Sequence, residues 1–290
     1  MYKEVALDPS CMGNIEYYNL LKQHFGFDHG RYVSSEVKMW AKEAMGHVKQ
    51  AGMQPVKEKS IKNFLNKLAR TKSVNEFHIA EDRKKINCDS WSDWIVAQKE
   101  VRPFSATISD GASIEGITIE DINAGCGDWI IKRSLSVDRC ADNLIGVIKP
   151  LLDISNSITL VDQYFRLADN NTFRALLTAV STSAIDNLTV VSSMDTPGAL
   201  ALFQREYSHL KRNGLVITWL KAPDRFFHDR YVISEVGAVR SGHGFMEGVE
   251  KGIHADKANL NIISKEEADR TLNDLQSLLD SGEVTEILKV

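Results

Sequence analysis

Apolar side chains recur at helical spacing through the first part of the chain. Between Lys57 and Arg70 they occupy positions 61, 64, 65 and 68, the i, i+3, i+4, i+7 pattern of a helix with one buried face. Similar patterns predict helices at residues 14–25, 35–51 and 89–99. Alternating apolar and polar residues then predict strands at 104–109, 116–119 and 129–131. These patterns indicate a helix-rich α+β region.

From residue 157 onward, strand-like and helix-like segments alternate. Apolar runs predict strands at 158–162, 188–191 and 215–220, and a fourth strand within 227–235. Helices are predicted at 171–183, 197–212 and 266–279. Such alternation is typical of an α/β domain with a mixed, largely parallel sheet. Because a helix predicted at 139–149 ends before Pro150, we place the boundary between domains 1–150 and 151–290 there.

The composition is that of an ordinary globular protein. Hydrophobic residues make up 43% of the chain and charged residues 26%, and no apolar run is long enough to span a membrane. The segment Met1–Val5 lacks the features of a signal peptide, so a cytoplasmic protein is expected. The four cysteines include no C-x-x-C pair, which argues against a zinc site and a disulfide framework. No metal or other cofactor is expected.

The net charge of −4 conceals a basic segment. Between Lys49 and Lys72 the sequence contains seven basic residues and one acidic residue, Glu58. A local basic face binds a phosphate backbone even when the whole chain is acidic. The candidate nucleic-acid-binding residues are Lys57, Lys59, Lys62, Lys67 and Arg70. A solvated helix face is the simpler interpretation of the same pattern.

The segment 227–235 carries the most informative set of polar side chains. His228 and Arg230 are two residues apart, so on a strand they share one face and meet one anion together, while Asp229 turns away. A glycine-flanked turn, Gly242-His243-Gly244-Phe245, follows. Imidazole transfers protons or attacks phosphorus, and guanidinium binds phosphate, so the pair suits phosphodiester chemistry.

This spacing carries a resemblance to a known family. His228-x-Arg230-x-x-x-x-Glu235 resembles the H-x-K-x-x-x-x-D motif of the phospholipase D superfamily, with Arg for Lys and Glu for Asp. The resemblance covers about residues 155–280. It is closer still to the phospholipase D-like C-terminal module of microtubule-interacting-and-trafficking domain proteins. The matching segments are Asp162-Gln163-Tyr164-Phe165-Arg166, Asn171-Thr172-Phe173-Arg174-Ala175, His228-Asp229-Arg230-Tyr231-Val232 and Gly242-His243-Gly244-Phe245.

The resemblance implies a phospholipase D-like α/β sandwich in residues 151–290. In active members one His attacks phosphorus, a second His protonates the leaving oxygen, and no metal is needed. The implied catalytic residues are His228, Arg230 and Glu235, and the implied phosphate contacts are Arg230, His243, Asp162 and Tyr164. Because an active site combines two motifs and this chain has one, a homodimer with His228 at the two-fold axis is expected.

Two functions stay open at this point. One is a metal-independent nuclease or other phosphodiester hydrolase, in a setting such as bacterial defence or DNA processing. The other is a catalytically silent module that binds phosphate groups or a protein partner, since the trafficking modules are regarded as binding modules. The G-S-x-N segment of active enzymes is replaced here by Gly242-His243-Gly244-Phe245. Phosphate binding survives such a replacement more readily than turnover does.

Overall fold

A computed structural model describes residues 1–71, 75–111, 114–248 and 257–290. These residues form two compact units, Tyr2–Ile131 and Lys132–Val290. Lys72 and His254 lie outside the described residues. No helix in the described ranges is both long and apolar enough to cross a membrane.

The division between the units falls between Ile131 and Lys132, closer to the N-terminus than the boundary predicted at Pro150. This proline is inside a helix, α6 (Ala141–Ile154), and does not end it. Leu151 and Leu152 follow the proline and are fully buried. Packing of these side chains therefore outweighs the backbone hydrogen bond that proline removes.

The first unit contains a parallel three-stranded sheet in the order β2-β1-β3. Its strands are β1 (Lys3–Leu7), β2 (Arg31–Val33) and β3 (Ala106–Ile108). Its helices are α1 (Ile15–His24), α2 (Val37–Gln50), α3 (Pro55–Arg70), α4 (Trp91–Val101) and α5 (Ile119–Asn123). The prediction of helices α1 to α4 is confirmed, whereas β1 and β2 were not predicted.

Two of the predicted strands in this unit are wrong. Thr118 begins α5 through a capping box with Asp121, so the segment 116–119 leads into a helix and makes only an isolated bridge to β3. The segment 129–131 belongs to a turn, in which the N–H of Trp129 donates to the Cys126 carbonyl at 3.1 Å. The pairing of the first segment is limited to Ile117, whose N–H donates to the Thr107 carbonyl of β3 at 2.8 Å, whereas the second segment is held by local hydrogen bonds without a neighbouring strand.

A buried ion-pair network ties β1 to the segments that precede and follow α4. Arg83 Nε and Nη2 donate to Glu4 Oε1 and Oε2 at 2.6 and 2.8 Å. Arg102 Nη2 donates to Glu4 Oε2 at 2.9 Å. Burial by itself would raise the pKa of Glu4, but the hydrogen bonds and charges of the two arginines outweigh it and leave that pKa lowered.

The second unit is built on an eight-stranded sheet in the order β11-β7-β6-β5-β8-β9-β10-β4. Its strands are β4 (Ser134–Asp138), β5 (Ser157–Val161), β6 (Asn187–Ser192), β7 (Val216–Lys221), β8 (Arg230–Ile233), β9 (Ala238–Ser241), β10 (Lys257–Ile262) and β11 (Thr285–Lys289). Besides α6, its helices are α7 (Asn171–Ser181), α8 (Ala199–Glu206) and α9 (Lys265–Asp280).

The mixed α/β class is confirmed for this unit, but the sheet is not largely parallel. Of the seven pairings between its described strands, two are parallel, those of β6 with β5 and with β7. The short turn between β8 and β9 joins neighbouring strands directly, which requires an antiparallel pair. Helical crossovers, which parallel pairs require, connect β5 to β6 and β6 to β7.

Helix α8 is shorter than the predicted 197–212. It begins after Gly198 and ends before Tyr207. The buried Tyr207 donates its hydroxyl to the Leu167 carbonyl at 2.6 Å and accepts from the N–H of Asn170 at 3.1 Å. These tertiary hydrogen bonds hold the chain where the helix stops.

Several polar segments meet at one edge of the eight-stranded sheet. The carboxyl ends of β5, β6 and β7 lie there with the start of β8 and the end of β9, since Val161 pairs with Tyr231 and Arg230 pairs with Ser241. Asp162 directly follows β5, and the turn of residues 242–245 directly follows β9. Ligand-binding groups of α/β proteins are commonly found at the carboxyl ends of strands.

Candidate functional site

Asp162 anchors the turn of residues 242–245. Its side chain is 2% exposed, and its Oδ1 and Oδ2 accept from the N–H groups of Tyr164 at 3.1 Å and Phe245 at 2.7 Å. Gly244 has a φ of +87°, and a Cβ there would lie 2.6 Å from Asp162 Oδ2. Only glycine fits this position, because any side chain would be both strained and in collision with the carboxylate.

Two arginines act on the Asp162 carboxylate. Burial raises the pKa of Asp162, while its backbone hydrogen bonds and the charges of Arg230 and Arg139 oppose the rise. Arg139 Nη2 also donates to the Met246 carbonyl at 3.2 Å. Asp162 and Arg139 therefore hold both sides of the same turn, and both carboxylate oxygens of Asp162 accept from backbone N–H groups, while its phosphate contact stays a prediction.

Arg230 is a cation at the start of β8, at this edge of the sheet. Its half-buried guanidinium lies 5.9 Å from the ring centroid of Tyr164, which is 58% exposed. The side chain makes no ion pair or hydrogen bond within 4.0 Å with any described carboxylate. An arginine fork can bind a phosphate through two hydrogen bonds, and an exposed aromatic ring provides a stacking surface beside it.

The structure does not bring His228 to Arg230. Strand β8 begins at Arg230, and His228 lies in the preceding bend, with an exposed side chain. It lines a groove together with Asp229 and Tyr231, which Arg230 does not line. The prediction that His228 and Arg230 share one face of a strand, with Asp229 turned away, is wrong, because the strand starts two residues later.

The groove around His228 is anionic. Tyr231 Oη and Arg240 Nη1 donate to Glu267 Oε1 at 3.1 and 3.2 Å, and Arg240 Nη1 lies 3.8 Å from Asp229 Oδ2. Burial, followed by the negative charges of Asp229 and Glu267, raises the pKa of Tyr231 to about 12. A phosphate is disfavoured in these surroundings by like-charge repulsion.

Glu235 occupies the opposite end of β8 from Arg230. It lies in the turn between β8 and β9, about 15 Å away along the strand. Its carboxylate accepts from the N–H groups of Asn156 at 2.6 Å and Ser157 at 3.4 Å, and from Ser157 Oγ at 3.3 Å. These contacts hold the start of β5, so the structure places Glu235 in a supporting position away from the arginine.

His243 lies in the turn that Asp162 anchors. Ser241 Oγ donates to the Gly244 carbonyl at 2.7 Å across this turn, and the His243 side chain is exposed. It makes no hydrogen bond to a described residue. The turn follows the β9 residue paired with Arg230, so His243 is on the loop adjoining the arginine.

The basic helix α3 belongs to the first unit. Ile61, Leu65 and Leu68 form its buried face. Lys62 pairs with Glu58. The remaining candidate nucleic-acid-binding residues are exposed and make no ion pair with a described residue: Lys57, Lys59, Lys67 and Arg70. The prediction that the basic side chains project outward is confirmed.

Several residues of the two sites were missed by the sequence analysis. Arg139, Arg240 and Glu267 come from segments far from the motif and have no local pattern that marks them. Among the described residues, no group of three or more His, Cys, Asp or Glu side chains is arranged to hold a metal ion. The cysteines are free.

Comparison with known proteins adds little to this description. No protein-family model and no curated protein matches the chain. A similar solved structure is that of TrmBL2, an archaeal chromatin protein described as showing a novel mode of DNA binding. The similarity covers 56% of this chain and 57% of that chain, with 13% identity and a TM-score of 0.31. The chain thus spans little more than half of that protein's length, and a likeness of this extent identifies no family.

Proposed function

We propose that this chain is a phospholipase D-like protein that binds the phosphate groups of a phosphodiester, with single-stranded nucleic acid as its ligand. The observation that carries the proposal is the Arg230 guanidinium, which makes no ion pair or hydrogen bond with a described carboxylate and lies beside the exposed ring of Tyr164. Arginine binds a phosphate through a planar fork, and a base stacks on an aromatic ring.

The surroundings of Arg230 support this proposal. Asp162 fixes the adjoining turn through Phe245, and Arg139 contacts the same turn through Met246. A site held in this way loses little conformational freedom when a ligand binds. In the other unit, the exposed basic residues of α3 supply a second, non-specific attraction for a phosphate backbone.

The position of His228 favours binding over cleavage. Proton transfer or nucleophilic attack requires the imidazole within reach of the phosphate that the arginine holds. In this chain His228 lines the anionic groove, whereas Arg230 contacts Tyr164. This difference in surroundings supports phosphate binding rather than hydrolysis by a single chain.

The proposal is tested by fluorescence anisotropy with a labelled single-stranded oligonucleotide in EDTA. We expect Arg230→Ala to weaken binding about tenfold or more, and Tyr164→Ala to weaken it by a similar factor. Arg270→Ala is the matched control, because Arg270 is an exposed arginine of the same unit already paired with Glu266 at 3.2 Å. Equal affinities of the Arg230 and Arg270 variants would contradict the proposal.

A metal-independent phosphodiesterase acting as a homodimer is the second candidate function. It is favoured by one observation: the His228 imidazole is exposed and makes no hydrogen bond with a described residue, so a second copy could approach it. The measurement is product formation in EDTA, together with the molar mass in solution. A dimer whose cleavage is abolished in His228→Ala supports this function, and a monomer without product excludes it.

A further inference from the structure

The groove beside His228 has its own chemistry, separate from the Arg230 edge. It encloses about 410 Å³ between the start of β8 and the first turns of α9. Its lining includes one cation, Arg270, and four carboxylates: Asp229, Glu266, Glu267 and Asp274. A concave site of this volume is of the size that ligands occupy.

The carboxylates of the groove outnumber the cations that reach them. Arg270 pairs with Glu266 at 3.2 Å. The Arg240 guanidinium pairs with Glu267 at 3.2 Å and also lies 3.8 Å from Asp229. Asp274 is exposed and makes no ion pair with a described residue. The groove therefore retains an uncompensated negative charge.

Aromatic and apolar groups form the rest of the lining. Phe226, Tyr231 and Val161 contribute to it, and the Phe226 ring is braced by that of Phe227 at a centroid distance of 5.1 Å. Lysine and arginine side chains bury their aliphatic stems against such surfaces while their charged groups contact carboxylates or aromatic faces. A phosphodiester has the wrong charge for this site.

The groove's carboxylates on α9, Glu266, Glu267 and Asp274, form an acidic strip that is long enough for several residues of an extended chain. From Glu266 to Asp274 it follows α9 for about 12 Å, the span of roughly four extended residues. A more open depression that shares Glu266, Arg270 and Asp274 continues it past Asn273 and past Asp269, which pairs with Lys265 at 2.8 Å. We propose that this groove binds a lysine- or arginine-bearing peptide segment of a partner protein, independently of the phosphate site at Arg230.

The test uses the whole 290-residue chain and a labelled peptide of four alternating lysines and arginines, with a glutamate peptide of equal length for comparison. Binding is measured by fluorescence polarisation. We expect the basic peptide alone to bind, and the double variant Asp229→Asn, Asp274→Asn to weaken it about tenfold. Asp274 is at an exposed helix position, and Asp274→Asn alone should weaken binding of the basic peptide about threefold. This single variant replaces the double variant if the double variant fails to fold.

Asp280→Asn is the matched control, because Asp280 is an exposed aspartate of the same helix that does not line the groove. It should bind the basic peptide within about twofold of the parent protein. An equal loss of peptide affinity in the control and groove variants would show that the protein's net charge, and not the groove, accounts for binding. That result would overturn the proposal. Displacement of the peptide by spermine at equal or lower concentration would also overturn it, in favour of a small polyamine.

Discussion

Asp162 Oδ2 accepts a hydrogen bond of 2.7 Å from the backbone N–H of Phe245, which lies 83 residues further along the chain. This contact joins the carboxyl end of β5 to the turn after β9. Because the carboxylate is buried, its hydrogen bonds are protected from water, and their loss would leave unpaired polar groups in the interior. The geometry of the Arg230 edge therefore depends on Asp162.

The first prediction concerns Asp162→Asn. The amide can accept through one oxygen only, so its NH₂ group would face the N–H of Tyr164 or of Phe245. We expect the free energy of unfolding to fall by about 2 kcal/mol, measured by urea denaturation. Asp280→Asn is an exposed change of the same type, and it should lower the free energy of unfolding by less than about 0.5 kcal/mol. Similar losses in the two variants would argue against the anchoring role.

A second prediction separates backbone strain from collision at the same turn. Gly244 and Gly282 both have left-handed backbone conformations, with φ of +87° and +75°. A Cβ at Gly282 would meet nothing within 4 Å, whereas one at Gly244 would lie 2.6 Å from Asp162 Oδ2. Gly282→Ala should therefore cost about 1 kcal/mol, and Gly244→Ala at least about 1 kcal/mol more. Thermal or urea unfolding of both variants tests the difference, and equal costs would refute the predicted collision.

Glu235→Gln tests whether this acid supports the fold or takes part in ligand chemistry. Its carboxylate accepts from the start of β5, at Asn156 and Ser157. We expect a loss of stability of about 1 kcal/mol, with oligonucleotide affinity unchanged within about twofold. Anisotropy and urea denaturation on the same preparation give both values. A large loss of oligonucleotide affinity without a loss of stability would show instead that Glu235 takes part in ligand binding.

The fourth prediction concerns pH and the buried Glu4–Arg83 pair. The pKa of Glu4 is lowered in the folded protein, so its carboxylate stabilises the fold at pH values above its unfolded pKa. That contribution is lost as the pH falls through the lowered folded pKa. Near neutral pH, Glu4→Gln should reduce the free energy of unfolding by about 3 kcal/mol, because it leaves the Arg83 charge buried without its partner.

The gap between the parent protein and Glu4→Gln should narrow as the pH is lowered below about 4, since the parent then carries a neutral carboxyl group as well. Urea denaturation at several pH values measures the gap. A gap that stays constant across the acidic range would show that the charge of Glu4 does not account for the loss.

Local patterns were sufficient for most of the helices. Asn14 and Asn170 accept from backbone N–H groups at the starts of α1 and α7, as N-cap residues do, and apolar periodicity located α3 and α9. Strand β1 was not predicted, because all but the first of its side chains are buried and its sequence shows no alternation. The continuation of α6 past Pro150 was not predicted for a related reason, since packing of Leu151 and Leu152 outweighs the local effect of the proline.

The candidate site divides in the same way. The sequence by itself determined that an imidazole, an arginine and a glycine-flanked turn are close along the chain, and that the outer face of α3 is basic. The tertiary structure alone decided that Arg230 lies beside Tyr164, that His228 lines a groove with α9, and that Glu235 supports β5. The physical reason is that helix periodicity and capping act between near neighbours. Strand starts, pairing register and buried hydrogen bonds instead depend on segments that meet only in the folded chain.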